Sequence, residues 1–204
     1  MTNAFLCVEF QRGILMYGVD YSSSDQRDWS GFKRVYGFNR TDEVMEAYYL
    51  KFLSICHECI QLHESGITTP PPDSMLAQML ADGEVMHHER AKRVFRRLEN
   101  FRDLRERILA DPNILQRMSS IRRHRKTLLP KWWNYTYDYA YLKGIGRYGL
   151  SMTSHDAMLE DPEIGFSTMY AEWKASLIKR KELGLSANEL VDDRFGELFW
   201  PMKV

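Results

Sequence analysis

Apolar residues recur every three or four positions along most of this chain, the period of a helix with one buried face. Phe5, Val8, Ile14 and Tyr17 predict a helix over residues 4–18, with Gly18 as its stop. Residues 20–28 read as a polar loop rich in Asp and Ser. A short second helix follows at residues 28–34, anchored by Trp29 and Phe32. Thr41-Asp42-Glu43 supplies an N-cap with acids in the first turn. It opens a longer third helix, whose apolar stripe is read as Val44, Tyr48, Phe52, Ile55 and Cys59. Pro70-Pro71-Pro72 then interrupts the pattern as a linker.

Beyond the linker, Met75, Leu76, Met79 and Leu80 mark a short amphipathic piece at residues 74–81. Val94, Leu98, Phe101, Leu104 and Ile108 give a strong helical period over residues 89–110, with Arg93, Arg97 and Arg107 on the opposite face. Asp111-Pro112 starts another short helix, and a basic loop follows. Tyr139, Leu142, Ile145 and Tyr148 predict a helix over residues 136–148, Ser154 to Glu160 a second, and Phe166, Met169, Tyr170, Trp173 and Leu177 a third over residues 166–182. Asp161-Pro162 separates the last two, and Gly184 ends the third. Residues 186–204 read as a tail with a Ser186 cap, a short helix and an aromatic end at Phe199-Trp200-Pro201.

One segment occurs twice. Residues 10–19 align without a gap on residues 141–150, matching an aromatic, a Gly-Ile pair (Gly13-Ile14, Gly144-Ile145), a Tyr-Gly pair (Tyr17-Gly18, Tyr148-Gly149) and a closing aliphatic. A repeated segment implies one structural unit used twice. Here it reads as the first helix of a three-helix bundle. The expected fold is all-α, with a first module at 1–65, a linker with a long basic spacer helix and loop at 66–131, a second module at 132–184 and a helical tail at 185–204.

Composition permits this: of 204 residues, 44% are hydrophobic and 13% aromatic, enough to bury a core. Net charge is zero, but its distribution is uneven. Residues 1–88 hold 6 Lys/Arg against 12 Asp/Glu, and residues 132–204 hold 8 against 11. Residues 89–131 hold 14 against 5, so half of the positive charge sits in one-fifth of the chain. Arg122-Arg123-His124-Arg125-Lys126 has no adjacent acid. Such a concentration is the footprint expected for a polyanion; the alternative is a helix face that pairs with the acidic modules. Three cysteines make no disulfide framework and suit a reducing compartment. Glu9 inside the apolar start makes a poor signal peptide, and no apolar run is long enough to span a bilayer, so a soluble intracellular protein is expected.

The motifs of enzyme chemistry are weak. No glycine-rich phosphate loop occurs. Asp42-Glu43-Val44-Met45 imitates an acidic ATPase box but reads as a helix cap. Cys56-His57-Glu58-Cys59 is a single Cys-x-x-Cys, which with His63, His87 and His88 leaves a zinc enzyme as a rival; the thiols read as core residues. Ser154-His155-Asp156 are adjacent, the wrong geometry for a triad. No catalytic residue, metal site or cofactor is therefore expected. Trp29, Trp132, Trp133 and Trp173 read as core anchors. The third helix of the first module starts with Asp42, Glu43 and Glu46, a poor face for phosphate, whereas the last module's helix ends in Lys179-Arg180-Lys181.

These residues, in order, resemble a known family. Phe10 with Tyr17-Gly18-Val19, Asp28-Trp29-Ser30-Gly31-Phe32, and Asp42-Glu43 leading to Tyr48-Tyr49 and Cys56 resemble the SANT domain of chromodomain-helicase-DNA-binding (CHD) chromatin remodelers, with the Kismet-like subfamily the nearest likeness. Ala91-Lys92-Arg93, Arg97-Leu98-Glu99 and Leu104-Arg105-Glu106 resemble its connecting helix. Pro130-Lys131-Trp132-Trp133, Asp138, Gly144, Tyr148-Gly149 and Asp161-Pro162-Glu163-Ile164-Gly165-Phe166 resemble the SLIDE domain. The resemblance covers residues 5 to about 175 and implies two Myb-like modules. It also implies an accessory region C-terminal to a remodeling ATPase, gripping linker DNA beside the nucleosome. The chromodomains and ATPase lobes of that family are missing, so an excised fragment or a truncated relative is implied.

The sequence and the resemblance together lead to a nuclear, non-enzymatic binder of duplex DNA and nucleosomes, acting on phosphates without strong sequence preference. Its expected contacts are Arg122, Arg123, Arg125 and Lys126 of the basic loop, Lys174, Lys179, Arg180 and Lys181 of the last module, and Arg93 and Arg97 of the spacer. Its expected partners are DNA, an ATPase region and histones, with no membrane. The alternative is a histone-tail or protein-interaction module with little DNA binding.

Overall fold

The computed structural model describes residues 3–22, 24–83, 85–121 and 133–182; the side chains of residues 3–7, 152, 170, 173, 174, 176, 177, 180 and 181 lie outside that description. The described part is all-α apart from one two-stranded ribbon, and it divides into two units, Met1–Arg107 and Ile108–Val204.

The first unit is built on α1 (Asn3–Tyr17), α2 (Ser30–Tyr36) and α3 (Asp42–Glu64), with α4 (Met75–Ala81) and α5 (His88–Asp103) packed on α3. An aromatic cluster joins the first three helices. Phe10 of α1 meets Phe32 of α2 at 5.6 Å and Tyr48 of α3 at 5.8 Å between ring centroids, and Trp29 meets Tyr49 at 5.6 Å. Trp29 and Phe32 are fully buried, as their anchoring role requires. The stretch expected to be a bare polar loop instead holds β1 (Asp20–Tyr21) antiparallel to β2 (Arg27–Asp28).

Two apolar stripes are rotated from their expected faces. Val8 is 47% exposed while Phe10 is buried, and on α3 Met45 and Tyr49 replace Val44 and Tyr48 as the buried pair. The helix expected over 89–110 is α5 continued by a π-helical turn, Leu104–Ile108. It is not a bare spacer. Ala91 and Val94 are fully buried in the same cluster as Phe10 and Trp29, so α5 completes the core of the first unit. Burying a side chain such as Val94 or Phe101 contributes about 1.5–3 kcal/mol apiece, which favours docking over a free-standing helix.

The second unit contains α6 (Ile114–Ser120), α7 (Tyr135–Tyr148), α8 (Met152–Glu160) and α9 (Phe166–Glu182). Trp133 is buried between Tyr137 and Phe166 and donates its indole N–H to Asp138 Oδ1 at 2.6 Å. Asn134 caps α7, and Ser151 with Ser154 forms a capping box on α8. The tail at 185–204 lies outside the described residues.

The sequence repeat has a geometric counterpart. α1 ends at Tyr17 and α7 at Tyr148; each is followed by a glycine of positive φ, Gly18 at 75° and Gly149 at 76°. The Gly18 N–H donates to Ile14 O at 2.9 Å and the Gly149 N–H to Ile145 O at 2.8 Å, closing the same turn twice. The inner glycines repeat as well. A Cβ on Gly13 would stand 2.6 Å from the Phe32 ring of α2, and one on Gly144 2.6 Å from Met158 of α8. Gly13 therefore lets α1 approach α2, and Gly144 lets α7 approach α8.

Several carboxylates are held in their charged form. Hydrogen bonds from Arg27, at 2.8 Å from Nε, hold the Glu46 carboxyl below its usual range. The backbone N–H of Ser30 does the same for Asp28. Burial opposes the charge on Asp161, but the Tyr148 hydroxyl at 2.8 Å, backbone donors and Arg147 outweigh it and depress its pKa. Lowered folded pKa values mean that the unfolded chain binds more protons in acid. The stabilisation is present above the ordinary carboxylate range and is lost as pH falls through the depressed values. Melting temperature by circular dichroism is expected to be flat between about pH 5 and pH 8 and to fall steadily below about pH 4; an unchanged melt at pH 3 contradicts this.

Candidate nucleic-acid interface

The basic segment can be sorted by what holds each cation. Arg105, only 14% exposed, is a structural residue: its Nε sits 2.9 Å from Asp20 Oδ1, it donates to Tyr17 O at 2.7 Å, and it lies over the Tyr17 ring. Arg102 bridges Asp25 at 2.6 Å and Glu106 at 2.9 Å and covers the Tyr21 ring. Lys92 pairs with Glu64 at 3.6 Å, Arg107 with Asp103 at 3.1 Å and Arg117 with Asp111 at 3.1 Å. Arg90 donates to the Val85 carbonyl. The pairing alternative raised by the sequence therefore holds for Lys92, Arg102 and Arg105, whose partners lie on the acidic first unit.

Arg93, Arg96 and Arg97 remain. Among the described residues none of them has a carboxylate partner, and Arg93 and Arg96 are exposed with Arg97 half-buried. Positions three and four apart lie side by side on a helix, with Cβ atoms about 5–6 Å apart. The buried Ala91, Val94 and Phe101 hold the inner face of α5 against the core, which leaves Arg93 and Arg96 outward and Arg97 at the edge of the buried face. Guanidinium groups in this arrangement suit several phosphate oxygens at once.

Of the residues named from sequence, Arg93 and Arg97 are thus brought together. Arg96 was missed, although its place three residues after Arg93 and off the apolar stripe was legible. Arg107, read as part of the same face, is tied to Asp103. Lys179 is exposed on α9, where Lys174, Arg180 and Lys181 also lie with side chains outside the described part. Arg122, Arg123, Arg125 and Lys126 are outside the described residues. The acidic start of α3 is partly neutralised, because Lys33 pairs with Asp42 and Arg27 with Glu46.

The alternative chemistries find little support. Cys56 is fully buried on α3 and burial pushes its thiol up to about 12, far from a reactive thiolate. Cys59 is raised by the same cause. Among the described residues no group of three or more His, Cys, Asp or Glu side chains is arranged to hold a metal ion. The Ser154 hydroxyl donates to Tyr148 O at 2.6 Å as part of the α8 cap, not to a histidine. No described helix is long and apolar enough to cross a membrane.

In sequence this chain is similar to CHD-type chromatin remodelers, which supports a CHD-type region. Chromodomain-helicase-DNA-binding protein 8 of Xenopus tropicalis is 30% identical over 161 residues, covering 78% of this chain. The human protein of the same name is 29% identical over the same length, and human chromodomain-helicase-DNA-binding protein 9 is 27% identical over 214 residues, covering 96% of this chain. The matched region is only 6 to 7% of the length of these relatives. No family model matches the chain, and no solved structure matches it.

Proposed function

We propose that this chain is a SANT-SLIDE-like accessory region of a nuclear CHD-type remodeler that grips linker or nucleosomal DNA through phosphates, without strong sequence preference. The observation that carries the reading is the triplet Arg93, Arg96 and Arg97 on α5, without a carboxylate partner among the described residues, upstream of the basic run at 122–126. The relatives' name, which includes DNA binding, points the same way. In this reading the repeated units are the two Myb-like modules, and the α9 cations Lys174, Lys179, Arg180 and Lys181 add phosphate contacts from the second. ATP hydrolysis belongs to an ATPase region of the same or a larger protein, and histones are secondary partners.

Phosphate contacts release counterions, so each one adds about 0.9 to the steepness of affinity against salt on logarithmic axes. Replacing Arg122, Arg123 and Arg125 by Glu is expected to weaken duplex binding and to flatten that slope by about 2.7. Gel shifts across a salt series, on duplexes of unrelated sequence, test both parts. An unchanged slope removes the basic run from the interface, and a preference for one duplex contradicts the phosphate mode.

A further inference from the structure

The last turn of α6 carries a side-chain arrangement that the interface does not use. None of the residues of α6 is buried. Ser120, its final residue, is exposed, and its hydroxyl donates to the Arg117 carbonyl at 2.7 Å, within its own turn. The chain leaves the helix at Ile121, whose backbone is extended at φ −72° and ψ 119°. Arg117 stands three residues before Ser120, its side chain 75% exposed and held to Asp111 at 3.1 Å. Ile121 follows at once, and 67% of it is open to solvent.

An arginine three residues ahead of an exposed serine, with a bulky aliphatic directly after it, forms the pattern that arginine-directed protein kinases select. An acidic groove takes the guanidinium, and a neighbouring apolar pocket takes the aliphatic side chain. Arg117 and Ile121 offer both groups, which gives the open Ile121 side chain a role that packing does not. Ser119 does not share the pattern. It is exposed too, but Gln116 stands three residues before it and another serine follows it. A kinase holds its acceptor segment extended. The last turn of α6 can open without uncovering a core, since no residue of this helix is buried.

We propose that Ser120 is a phosphorylation site and that its phosphate weakens the grip of the basic run on DNA; the second half rests on the phosphate-contact reading of that run. In the transfer the kinase's base takes the hydroxyl proton and an Oγ–P bond forms to the γ-phosphorus of ATP. The bond from that phosphorus to the β-phosphate oxygen breaks, releasing ADP. The product carries about −1.5 to −2 charges near neutral pH. It sits at a helix C-terminus, where the backbone carbonyls already disfavour an anion. In sequence it is two residues from Arg122 and three from Arg123. It therefore competes with DNA as a tethered phosphate at high effective concentration.

The test treats the full chain with ATP, Mg²⁺ and the catalytic domain of an arginine-directed serine kinase, then maps the phosphate by fragment mass spectrometry. Ser120 is expected as the main acceptor. Arg117→Gln should slow its modification by about tenfold or more, whereas Ser119→Ala should leave the rate within about twofold. Duplex affinity of the phosphorylated chain should fall by about fivefold or more, and its salt slope should flatten by about 1.5. Ser120→Ala treated in the same way should keep both values. Phosphate placed elsewhere, or Arg117→Gln modified as fast as the parent, overturns the acceptor assignment. Phosphorylated Ser120 with unchanged duplex affinity overturns the regulatory half. If the unmodified chain binds no duplex at all, the DNA reading fails instead, and the mapping alone decides the acceptor.

Discussion

Reversing Arg93, Arg96 and Arg97 to Glu together is expected to weaken duplex DNA binding by at least about tenfold and to flatten its salt dependence by about 2.7. The fold should survive, because Arg93 and Arg96 are exposed, Arg97 is only half-buried, and none of the three has a carboxylate partner to orphan among the described residues. Neutralising Lys92 and Arg102 makes the contrast. Both are already bridged to acids of their own unit, so Lys92→Gln and Arg102→Gln should leave the salt slope nearly unchanged. Anisotropy titrations at several salt concentrations, with circular dichroism as the folding control, distinguish the two sets. Equal losses from both would mean that net charge alone, and not the free triplet, governs binding.

The largest stability effect is expected at Gly18. It holds φ at 75°, and a Cβ there would lie 2.8 Å from Phe101 Cβ, an atom too close to the backbone to swing aside. Strain and overpacking then add, and Gly18→Ala should cost about 2–4 kcal/mol. For a unit of this size that lowers the melting temperature by roughly 10–20 °C. Gly37 is the control. Its φ is 66° but nothing stands within 4 Å of the added atom, so Gly37→Ala should cost about 1 kcal/mol, the conformational part alone. Thermal melts of the two variants measure the difference, and a Gly18 variant no worse than the Gly37 variant contradicts the close packing of α1 on α5.

Most helices were legible from apolar spacing and glycine or proline stops, because those signals are local. The repeat was legible too, since it is a statement about sequence order. Which face of a helix is buried was less so. On α3 the stripes through Val44 and through Met45 differ by one residue and share Phe52, Ile55 and Cys59, so only packing against α1 and α5 chooses between them. On α1 the face turns on Gly13, a contact position that hydropathy cannot see. The ribbon at residues 20–28 has strands of two residues, too short for any period. The same limit applies at the interface. The cluster of cations was visible, but Arg102 meets Asp25 and Arg105 meets Asp20 only after the chain has folded back across some eighty residues. Without those pairs, the free arginines cannot be told from the neutralised ones.

The most direct test is the affinity of the full chain for a duplex of arbitrary sequence, measured between about 50 and 200 mM salt. Seven phosphate contacts from the triplet and the run at 122–126 predict a logarithmic slope of about −6 or steeper, equal for unrelated duplexes. A slope near zero, or no measurable binding at low salt, would contradict the account.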